Sequence, residues 1–219
     1  PPPHHSSAAS DVYKRQEISP RTFSVKVRQG SRLSQLRLRR GQLSLDDAAL
    51  TLLQQAHKIV QFDDQTQISI QDGIGLSVNL NPHTDTELIG WRARKHAGLI
   101  DVDLVGGQPA ARFWEAVTLC DLSKGGLVLN PDEFYILASR EFVTVPPDYA
   151  AEMRAYDTRV GEFRAHYAGF FDPGFGCDAT GALLTRAVLE VRSHDVPFLI
   201  EQGQTVCRLV YEPMAAVPN

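Results

Sequence analysis

Apolar and polar residues alternate over short runs along most of the chain. In residues 17–42, Phe23, Val25 and Val27 alternate with polar residues before Gly30, and a second alternating run follows the glycine. Successive side chains of a strand point to opposite faces of a sheet, so this alternation predicts strands and the glycine predicts a turn. Residues 17–42 are therefore predicted to form a strand, a turn and a second strand.

One segment shows helical periodicity instead. Apolar residues recur three or four positions apart between residues 45 and 59, and Ser44, Asp46 and Asp47 lie at the start of this pattern. Hydroxyl and carboxylate side chains accept hydrogen bonds from the free N–H groups of a first helical turn, so this composition predicts a helix start. We interpret residues 43–64 as a helical connector between two domains.

Beyond the helix, short β-type runs recur with turn residues between them. They are QISIQDG, IGLSVNLN, ELIGWRAR, GLIDVDL, GGLVLN, EFYILAS, EFVTVPP, EFRAHYAGFF, RAVLEVR, PFLIEQG and TVCRLVY. Many short strands at close spacing predict an all-β domain with short helices rather than a doubly wound parallel sheet. We expect this domain to span residues 65–219.

The chain also contains an internal repeat. With Glu17 aligned on Glu190, residues 17–36 match residues 190–209 without a gap, including a Gln-Gly pair at each turn. The apolar positions of the two segments coincide as well, so two related β-units are predicted in one chain. The second unit ends a long β-domain whereas the first has little before it, which we interpret as truncation of a first domain.

Composition narrows the functional classes. The 219 residues are 43% hydrophobic, and the formal charge is -4 with a pI of about 6.0. Nucleic acid and anionic membranes are bound by broad basic surfaces, so neither is expected as a partner. Three widely separated cysteines, the lack of a long apolar run and the lack of a secretory signal predict a cytoplasmic protein. Residues 1–16 are interpreted as a non-native or disordered tail.

The motifs with catalytic potential lie in the second half of the chain. Arg159-Val160-Gly161 is followed by the turn Asp172-Pro173-Gly174-Phe175-Gly176, and Glu190 lies on the next predicted strand. Pro173 presets the backbone for a turn and Gly174 tolerates a positive φ, so backbone donors and acceptors could face a flat base without side-chain obstruction. An ordinary hairpin turn is the alternative interpretation of this turn taken alone.

These motifs resemble those of the dCTP deaminase family, within the dCTP deaminase and dUTPase superfamily. The family pattern combines an Arg-x-Gly element, a D-P-G-aromatic-x-G turn, which is one residue shorter here, and a strand glutamate. GLSVNLN is similar to the family's A-S-x-D-L motif, with Asn79 at the usual aspartate, and PDEFYILASREFVTVPPDYAAEM is similar to the strand pair before its phosphate-binding helix. The similarity is greatest for the double-length bacterial form, in which two family domains are fused.

The resemblance implies a fold and a domain organisation. We expect a dUTPase-like distorted β-barrel or β-clip domain in residues 65–219. In residues 17–42 we expect the final hairpin of a related first domain, with the chain truncated at both ends. Because family sites lie between domains or subunits, the resemblance also implies self-association as a trimer or a pseudo-trimeric assembly.

The resemblance further implies hydrolytic deamination of dCTP to dUTP and ammonia. Attack of water on C4 of cytosine needs a base and the departing ammonia needs a proton, so one well-placed carboxylate can serve both steps. Other base deaminases use zinc with H-x-E and P-C-x-x-C signatures, which this sequence lacks, so we expect Glu190 to activate water without a metal. Magnesium is expected only with the substrate triphosphate. The alternatives are a dUTP diphosphatase, a bifunctional enzyme, and a non-catalytic nucleotide-binding or assembly domain.

The site implied by this resemblance contains residues in two roles. The catalytic residues are Glu190 and Arg159, and no residue is expected to bind a metal. The substrate-binding residues are Arg154, Ala168, Phe171, Asp172 and Gly174. Glu17, the repeat partner of Glu190, is a candidate for a second catalytic site.

Neighbouring residues receive simpler interpretations. Ala155 and Tyr156 occupy positions at which the family has two phosphate-binding serines, and we hypothesise that the first domain supplies those hydroxyl groups instead. Trp91 and Trp114 are interpreted as core residues. The RLRRG run at residues 37–41 is interpreted as a solvated strand end.

Overall fold

The computed structural model describes residues 18–33, 39–41, 43–62, 64, 66–83, 85–155, 163–165, 169–177, 185–193 and 196–216. Its strands are β1 Ser24–Lys26, β2 Val60–Gln61, β3 Ile74–Asn79, β4 Leu88–Ala93, β5 Leu99–Asp101, β6 Trp114–Thr118, β7 Leu122–Ser123, β8 Gly126–Leu129, β9 Phe134–Val143, β10 Tyr149–Ala155, β11 Phe163–Ala165, β12 Phe170–Phe171, β13 Arg186–Ser193, β14 Phe198–Glu201 and β15 Thr205–Pro213. Its helices are α1 Asp47–His57 and α2 Ala110–Phe113, with a 3-10 turn at Leu119–Asp121. Strands dominate and helices are short, which confirms the predicted all-β class. No helix in these ranges is long and apolar enough to cross a membrane.

Most strands belong to one antiparallel sheet. Its strand order is β11-β13-β9-β3-β15-β10-β12; β2 and β4 also pair with β9, and β6 pairs with β4. Two small sheets accompany it: β1 pairs in parallel with β5, and β14, β8 and β7 pair in that order. The architecture is therefore one large sheet with two short additions.

The two ends of this strand order lie close together. At one end Ala165 of β11 is paired with Val191 of β13, and at the other Gly169 accepts a hydrogen bond from the N–H of Met153 on β10 at 2.8 Å. Because residues 165 and 169 are only four apart, their Cα atoms are separated by at most about 14 Å. The sheet therefore curls until β11 approaches β12, and this join is called the seam.

The concave face of the curled sheet encloses the core. Alternate residues of its strands are fully or almost fully buried there: Leu76, Val78, Leu137, Leu189, Val191, Leu209 and Tyr211. Successive strand residues point to opposite faces, so the residues between them lie on the other side, which is called the outer face. Glu190 and Arg208 are placed on the outer face in this way.

Strand β9 is continuous where the sequence pattern predicts two runs. The polar residues Ser139 and Glu141 interrupt the apolar pattern, but both point into the core. Ser139 Oγ accepts a hydrogen bond from the N–H of Ala187 at 2.9 Å, and Glu141 accepts from the N–H and hydroxyl of Ser77 at 2.9 and 2.6 Å. Because these buried polar groups are satisfied, the strand crosses the predicted break without leaving the sheet.

The buried Glu141 leads to a testable pH dependence. Burial raises the pKa of this carboxyl above its ordinary 4.5, although the hydrogen bonds from Ser77 oppose the shift. The folded state therefore binds the proton more tightly, so the stability contributed by neutral Glu141 is complete below 4.5 and is lost as the pH rises through the folded-state pKa. Glu141→Gln cannot ionise. The melting temperature of Glu141→Gln is expected to rise relative to that of the wild type as the pH increases above 4.5. A difference that stays constant with pH would contradict this.

The predicted helix forms as α1. Asp46 caps its start by accepting a hydrogen bond from the N–H of Ala49 at 2.8 Å, and the helix ends before Lys58, which has a φ of 48°. Leu50 and Leu53 are buried in the core of the large sheet. The segment predicted as a connector thus contributes to the core of the β-domain, and the predicted domain boundaries stay a prediction.

In the segment predicted as the end of a first domain, the structure describes residues 18–33 and 39–41. Strand β1 forms where alternation predicts it, and Gly30 has a φ of +90° at the predicted turn. Arg28 donates hydrogen bonds to Asp101 and Asp103 at 2.6 and 2.8 Å, beside the pairing of β1 with β5. The second strand of the predicted hairpin falls largely outside the described residues.

Candidate functional site

Glu190 lies on the outer face of β13, between Leu189 and Val191, which enter the core. It is paired with Ile136 of β9, which is in turn paired with Trp91 of β4. The carboxyl group is exposed to solvent, yet partial burial raises its pKa above the ordinary 4.5. Among the described residues no cation forms an ion pair with Glu190. Nothing in that part of the chain therefore offsets the desolvation, which disfavours the ionised carboxylate. A carboxyl with a raised pKa is suited to proton transfer near neutral pH.

A cavity of about 730 Å³ opens on the same face and is lined by Ile136, the cross-strand partner of Glu190. Ile136, Val188 and Trp91 form an apolar part of its wall, and Asn79 and Arg186 add polar groups. Trp91 is 38% exposed, so its assignment to the core is wrong: its pairing with Ile136 places the ring on the outer face. The volume lies within the range of small-molecule sites.

The D-P-G turn is tied to the end of β9. The N–H of Gly174 donates to the carbonyl of Val145 at 2.9 Å, and the N–H of Val145 donates to the carbonyl of Phe175 at 2.8 Å. Gly174 has a φ of +86°, the left-handed conformation that the motif predicts. A Cβ at Gly176 would lie 2.2 Å from the carbonyl oxygen of Val143, so the backbone approach requires glycine. The N–H of Gly174 is therefore used within the fold and does not face a ligand.

The structure does not place this turn over Glu190 of the same chain. The N–H of Val143 donates to the carbonyl of Thr185 at 2.8 Å, so Gly176 and Thr185 both lie beside the end of β9. Glu190 follows Thr185 by five residues along β13, which corresponds to roughly 16 Å of strand. The turn that begins at Asp172 is therefore nearer to the start of β13 than to Glu190.

Phe171 does not offer its side chain to a ligand. It lies on β12, paired with Ala151 of β10, and is 6% exposed. Its ring packs edge-on against Phe175 with centroids 4.9 Å apart, so it fills the core where the sequence predicts a substrate contact. Only the backbone of Phe171 can reach a ligand, and the neighbouring Phe170 is the exposed ring.

Arg154 lies on the outer face of β10 with its side chain 49% exposed. Its Nη2 donates to the hydroxyl oxygen of Ser44 at 2.8 Å and lies 3.9 Å from the Glu152 carboxylate. Arg154 is next to Met153, and Glu190 is next to Val191, so the two predicted site residues lie on opposite sides of the seam.

Three predicted site residues lie outside the described part of the chain: Arg159, Ala168 and Glu17. Their roles stay predictions. Within the described ranges no three histidine, cysteine, aspartate or glutamate side chains lie close enough together to hold a metal ion.

Sequence reasoning missed most of the charged groups around Arg154. Arg208 of β15 is its direct cross-strand partner. Arg39 binds Glu152 at 2.9 Å and Glu212 at 3.0 Å. Arg39 is exposed, in agreement with the interpretation of the RLRRG run as solvated, and its two ion pairs hold it on the sheet.

Comparison with protein families gives matches over most of the chain. Residues 46–219 match the model described as 2'-deoxycytidine 5'-triphosphate deaminase (DCD), C-terminal domain. Residues 8–42 match the model of the DCD N-terminal domain. The two matches follow one another along the chain without overlap.

Individual proteins show the same similarity. The crystal structure of 2'-deoxycytidine 5'-triphosphate deaminase from Agrobacterium tumefaciens is 48% identical with a TM-score of 0.80, over 92% of this chain and 57% of that one. Two curated relatives are named dCTP deaminase, dUMP-forming. The one from Methanobrevibacter smithii is 34% identical over 90 residues, which cover 40% of this chain and 42% of the relative. The one from Kocuria rhizophila is 39% identical over 67 residues, which cover 30% of this chain and 35% of the relative. The chain thus covers less than two thirds of each relative. Because the C-terminal-domain model alone matches well over half of it, the chain belongs to the 2'-deoxycytidine 5'-triphosphate deaminase family.

Proposed function

We propose that the chain is part of an enzyme that removes the C4 amino group of dCTP by hydrolysis, giving dUTP and ammonia. The observation that supports this most directly is Glu190, a carboxyl with a raised pKa whose cross-strand partner Ile136 lines a cavity of about 730 Å³. Membership of the family supports the same chemistry. No metal is required by the proposal.

In this proposal Glu190 acts first as a base and then as an acid. Its carboxylate takes a proton from water while the water oxygen attacks C4, and it passes that proton to N3 of the ring. It then takes the proton of the new C4 hydroxyl and delivers it to the amino group, so the C4 carbonyl forms and ammonia leaves. Partial burial suits both roles, because it brings the ionised and neutral forms of Glu190 closer in free energy.

The remaining residues are proposed to position the substrate. Ile136, Val188 and Trp91 would pack on the pyrimidine ring in the cavity. Arg154 would bind the phosphate groups by charge-assisted hydrogen bonds, with magnesium accompanying the triphosphate as part of the substrate. Arg159 would orient the water and Glu190.

The proposed site is shared between domains or subunits. The D-P-G turn and Thr185 both lie beside the end of β9, and Thr185 is roughly 16 Å along β13 from Glu190 of the same chain, too far for the turn and Glu190 to contact one pyrimidine ring. We therefore propose that the turn and the glutamate of one site come from different copies of the fold, in a trimer or a pseudo-trimeric assembly. The outer face that contains Glu190 is the surface that this arrangement would use.

The names of the curated relatives favour a second candidate, in which dUTP is hydrolysed further to dUMP and pyrophosphate. Product analysis of the full-length protein, incubated separately with dCTP and dUTP in magnesium, distinguishes the two. We expect equal amounts of ammonia and dUTP from dCTP, and no turnover of dUTP. Formation of dUMP and pyrophosphate from dCTP would establish the bifunctional enzyme instead. Pyrophosphate from dUTP without any ammonia would indicate a diphosphatase, and binding without turnover an assembly domain.

A further inference from the structure

One amide side chain on the wall of the cavity is held by several hydrogen bonds. Asn79, the last residue of β3, lines the cavity of about 730 Å³. Its Oδ1 accepts hydrogen bonds from the N–H of Asn81 at 3.2 Å and from Nε2 of Gln202 at 3.3 Å. Its Nδ2 donates to the carbonyl of Asn81 at 3.3 Å. Three hydrogen bonds therefore hold the Asn79 amide in one position at the cavity.

Backbone groups that can only donate determine the orientation of both amides. The N–H of Leu80 donates to Oε1 of Gln202, so it is Nε2 of Gln202 that donates to Asn79. The N–H of Asn81 likewise requires the oxygen of Asn79. The Asn79 amide therefore cannot exchange its oxygen and nitrogen without losing its hydrogen bonds to Asn81 and Gln202.

This orientation leaves one N–H group of Asn79 for a ligand. An amide nitrogen has two N–H donors, and the carbonyl of Asn81 accepts from one of them. In the part of the chain that the structure describes, the other has no hydrogen-bond partner. Because Oδ1 already accepts two hydrogen bonds, Asn79 offers the cavity a donor rather than an acceptor.

The Gln-Gly turn of the internal repeat positions Gln202. The N–H of Gly203 donates to the carbonyl of Val78 at 3.0 Å, and the N–H of Val78 donates to the carbonyl of Gln204 at 3.0 Å. Gly203 has a φ of +77°, a conformation that glycine adopts without a steric penalty. The turn is thus attached to β3 immediately before Asn79, and the attachment brings the Gln202 amide to the cavity wall.

We propose that Asn79 donates a hydrogen bond to an oxygen atom of the bound nucleotide, and that Gln202 is the positioning residue that keeps this donor available. The inference rests on the proposed function for the identity of its ligand. The base, the deoxyribose and the phosphates of dCTP all contain acceptor oxygens. Asn79 lies where the A-S-x-D-L motif has aspartate, and an ionised carboxylate cannot donate. The donor is therefore a feature in which this chain departs from the motif.

The first test removes the donor of Asn79 from the full-length protein. Asn79→Asp keeps the shape of the side chain and an oxygen for Asn81 and Gln202, but it has no N–H group. KM for dCTP, from the steady-state release of ammonia, is expected to rise about tenfold, with kcat changed less than about threefold. Calorimetry with deoxycytidine and with inorganic tripolyphosphate locates the acceptor. A loss of affinity for deoxycytidine places it on the base or sugar, and a loss for tripolyphosphate places it on the phosphates.

The second test changes Gln202 and leaves Asn79 intact. Gln202→Glu keeps the oxygen that accepts from Leu80, but its second oxygen replaces the donor to Asn79. KM for dCTP is expected to rise about fivefold. In an Asn79→Ala background the same change should leave KM unaltered, because Gln202 acts through Asn79. Gln204→Glu adds the same charge to the same turn and keeps the oxygen that accepts from the N–H of Glu201, so this control should retain the KM of the wild type.

The outcomes separate this contact from the proposed reaction. If the wild type releases no ammonia but Asn79→Asp weakens binding of deoxycytidine or tripolyphosphate, the contact stands and the deaminase proposal fails. If Asn79→Asp keeps both affinities, and also keeps KM where the wild type deaminates dCTP, the contact is refuted. An equal effect of Gln202→Glu with and without Asn79→Ala would show that Gln202 is merely structural. Should Asn79→Asp not fold, Gln202→Glu tests the same donor by the same measurements, and unchanged values would refute the contact.

Discussion

Replacing Glu190 by glutamine is expected to abolish deamination and leave nucleotide binding largely intact. Glutamine keeps the shape of the side chain but cannot take a proton from water. A positioned acid or base contributes about 10²- to 10⁴-fold to a rate, so kcat for ammonia release should fall about 10³-fold. KM for dCTP should change less than about threefold, because the step that is lost belongs to the transition state. Initial rates at saturating and limiting dCTP measure both quantities.

Glu201→Gln provides the matched control for this experiment. Glu201 is an exposed carboxylate on β14, in a different sheet, and its replacement removes the same charge. It should leave kcat and KM as in the wild type. Retention of more than about a tenth of the activity by Glu190→Gln would refute the assignment, since general acid–base catalysis contributes at least about 10²-fold. A loss on Glu17→Gln instead would move the catalytic role to the repeat partner.

The acid side of the pH–rate profile tests the same carboxyl independently. Glu190 must be ionised to act as a base, and partial burial raises its pKa above the ordinary 4.5. Activity of the wild type should therefore decline below a pH that lies above 4.5, and this decline should be absent from any residual activity of Glu190→Gln.

Local sequence patterns predicted the features that depend on residues close together in the sequence. The start of α1 was predictable because Asp46 accepts its capping hydrogen bond three residues away. The placement of Glu190 on the outer face was predictable because Leu189 and Val191 alternate with it. Strand β10 was missed: Ala150, Ala151 and the residues after them favour a helix in isolation, and pairing with β15 and β12 overrides that preference.

The candidate site was predictable only where a single strand or turn determines it. The positive φ of Gly174 follows from its motif, whereas the pairing of Arg154 with Arg208 depends on strand register between segments far apart in sequence. Ser44 could not be linked to Arg154 by any local pattern, because that contact forms only when the segment before α1 packs beside β15. Phe171 was assigned to the site from its motif; its burial leaves only its backbone for a ligand contact, and the assignment stays a prediction.

The largest expected effect on stability comes from Gly176→Ala. Gly176 has a φ of +70°, which costs an L-residue about 1–2 kcal/mol, and its Cβ would lie 2.2 Å from the backbone oxygen of Val143. Backbone atoms cannot move aside as a flexible side chain does, so the turn or the end of β9 must shift. We expect the free energy of unfolding to fall by about 3–5 kcal/mol. Urea denaturation measures this loss.

Gly174→Ala separates the two contributions. Gly174 lies in the same turn with a φ of +86°, but no atom lies within 4 Å of the position its Cβ would take. Its replacement should therefore cost only the conformational part, about 1–2 kcal/mol. Equal losses of unfolding free energy for Gly176→Ala and Gly174→Ala would show that the turn does not pack against the backbone of β9 at Val143. A larger loss at Gly176 would establish that the approach to Val143 holds the turn, and with it the start of β13, in place.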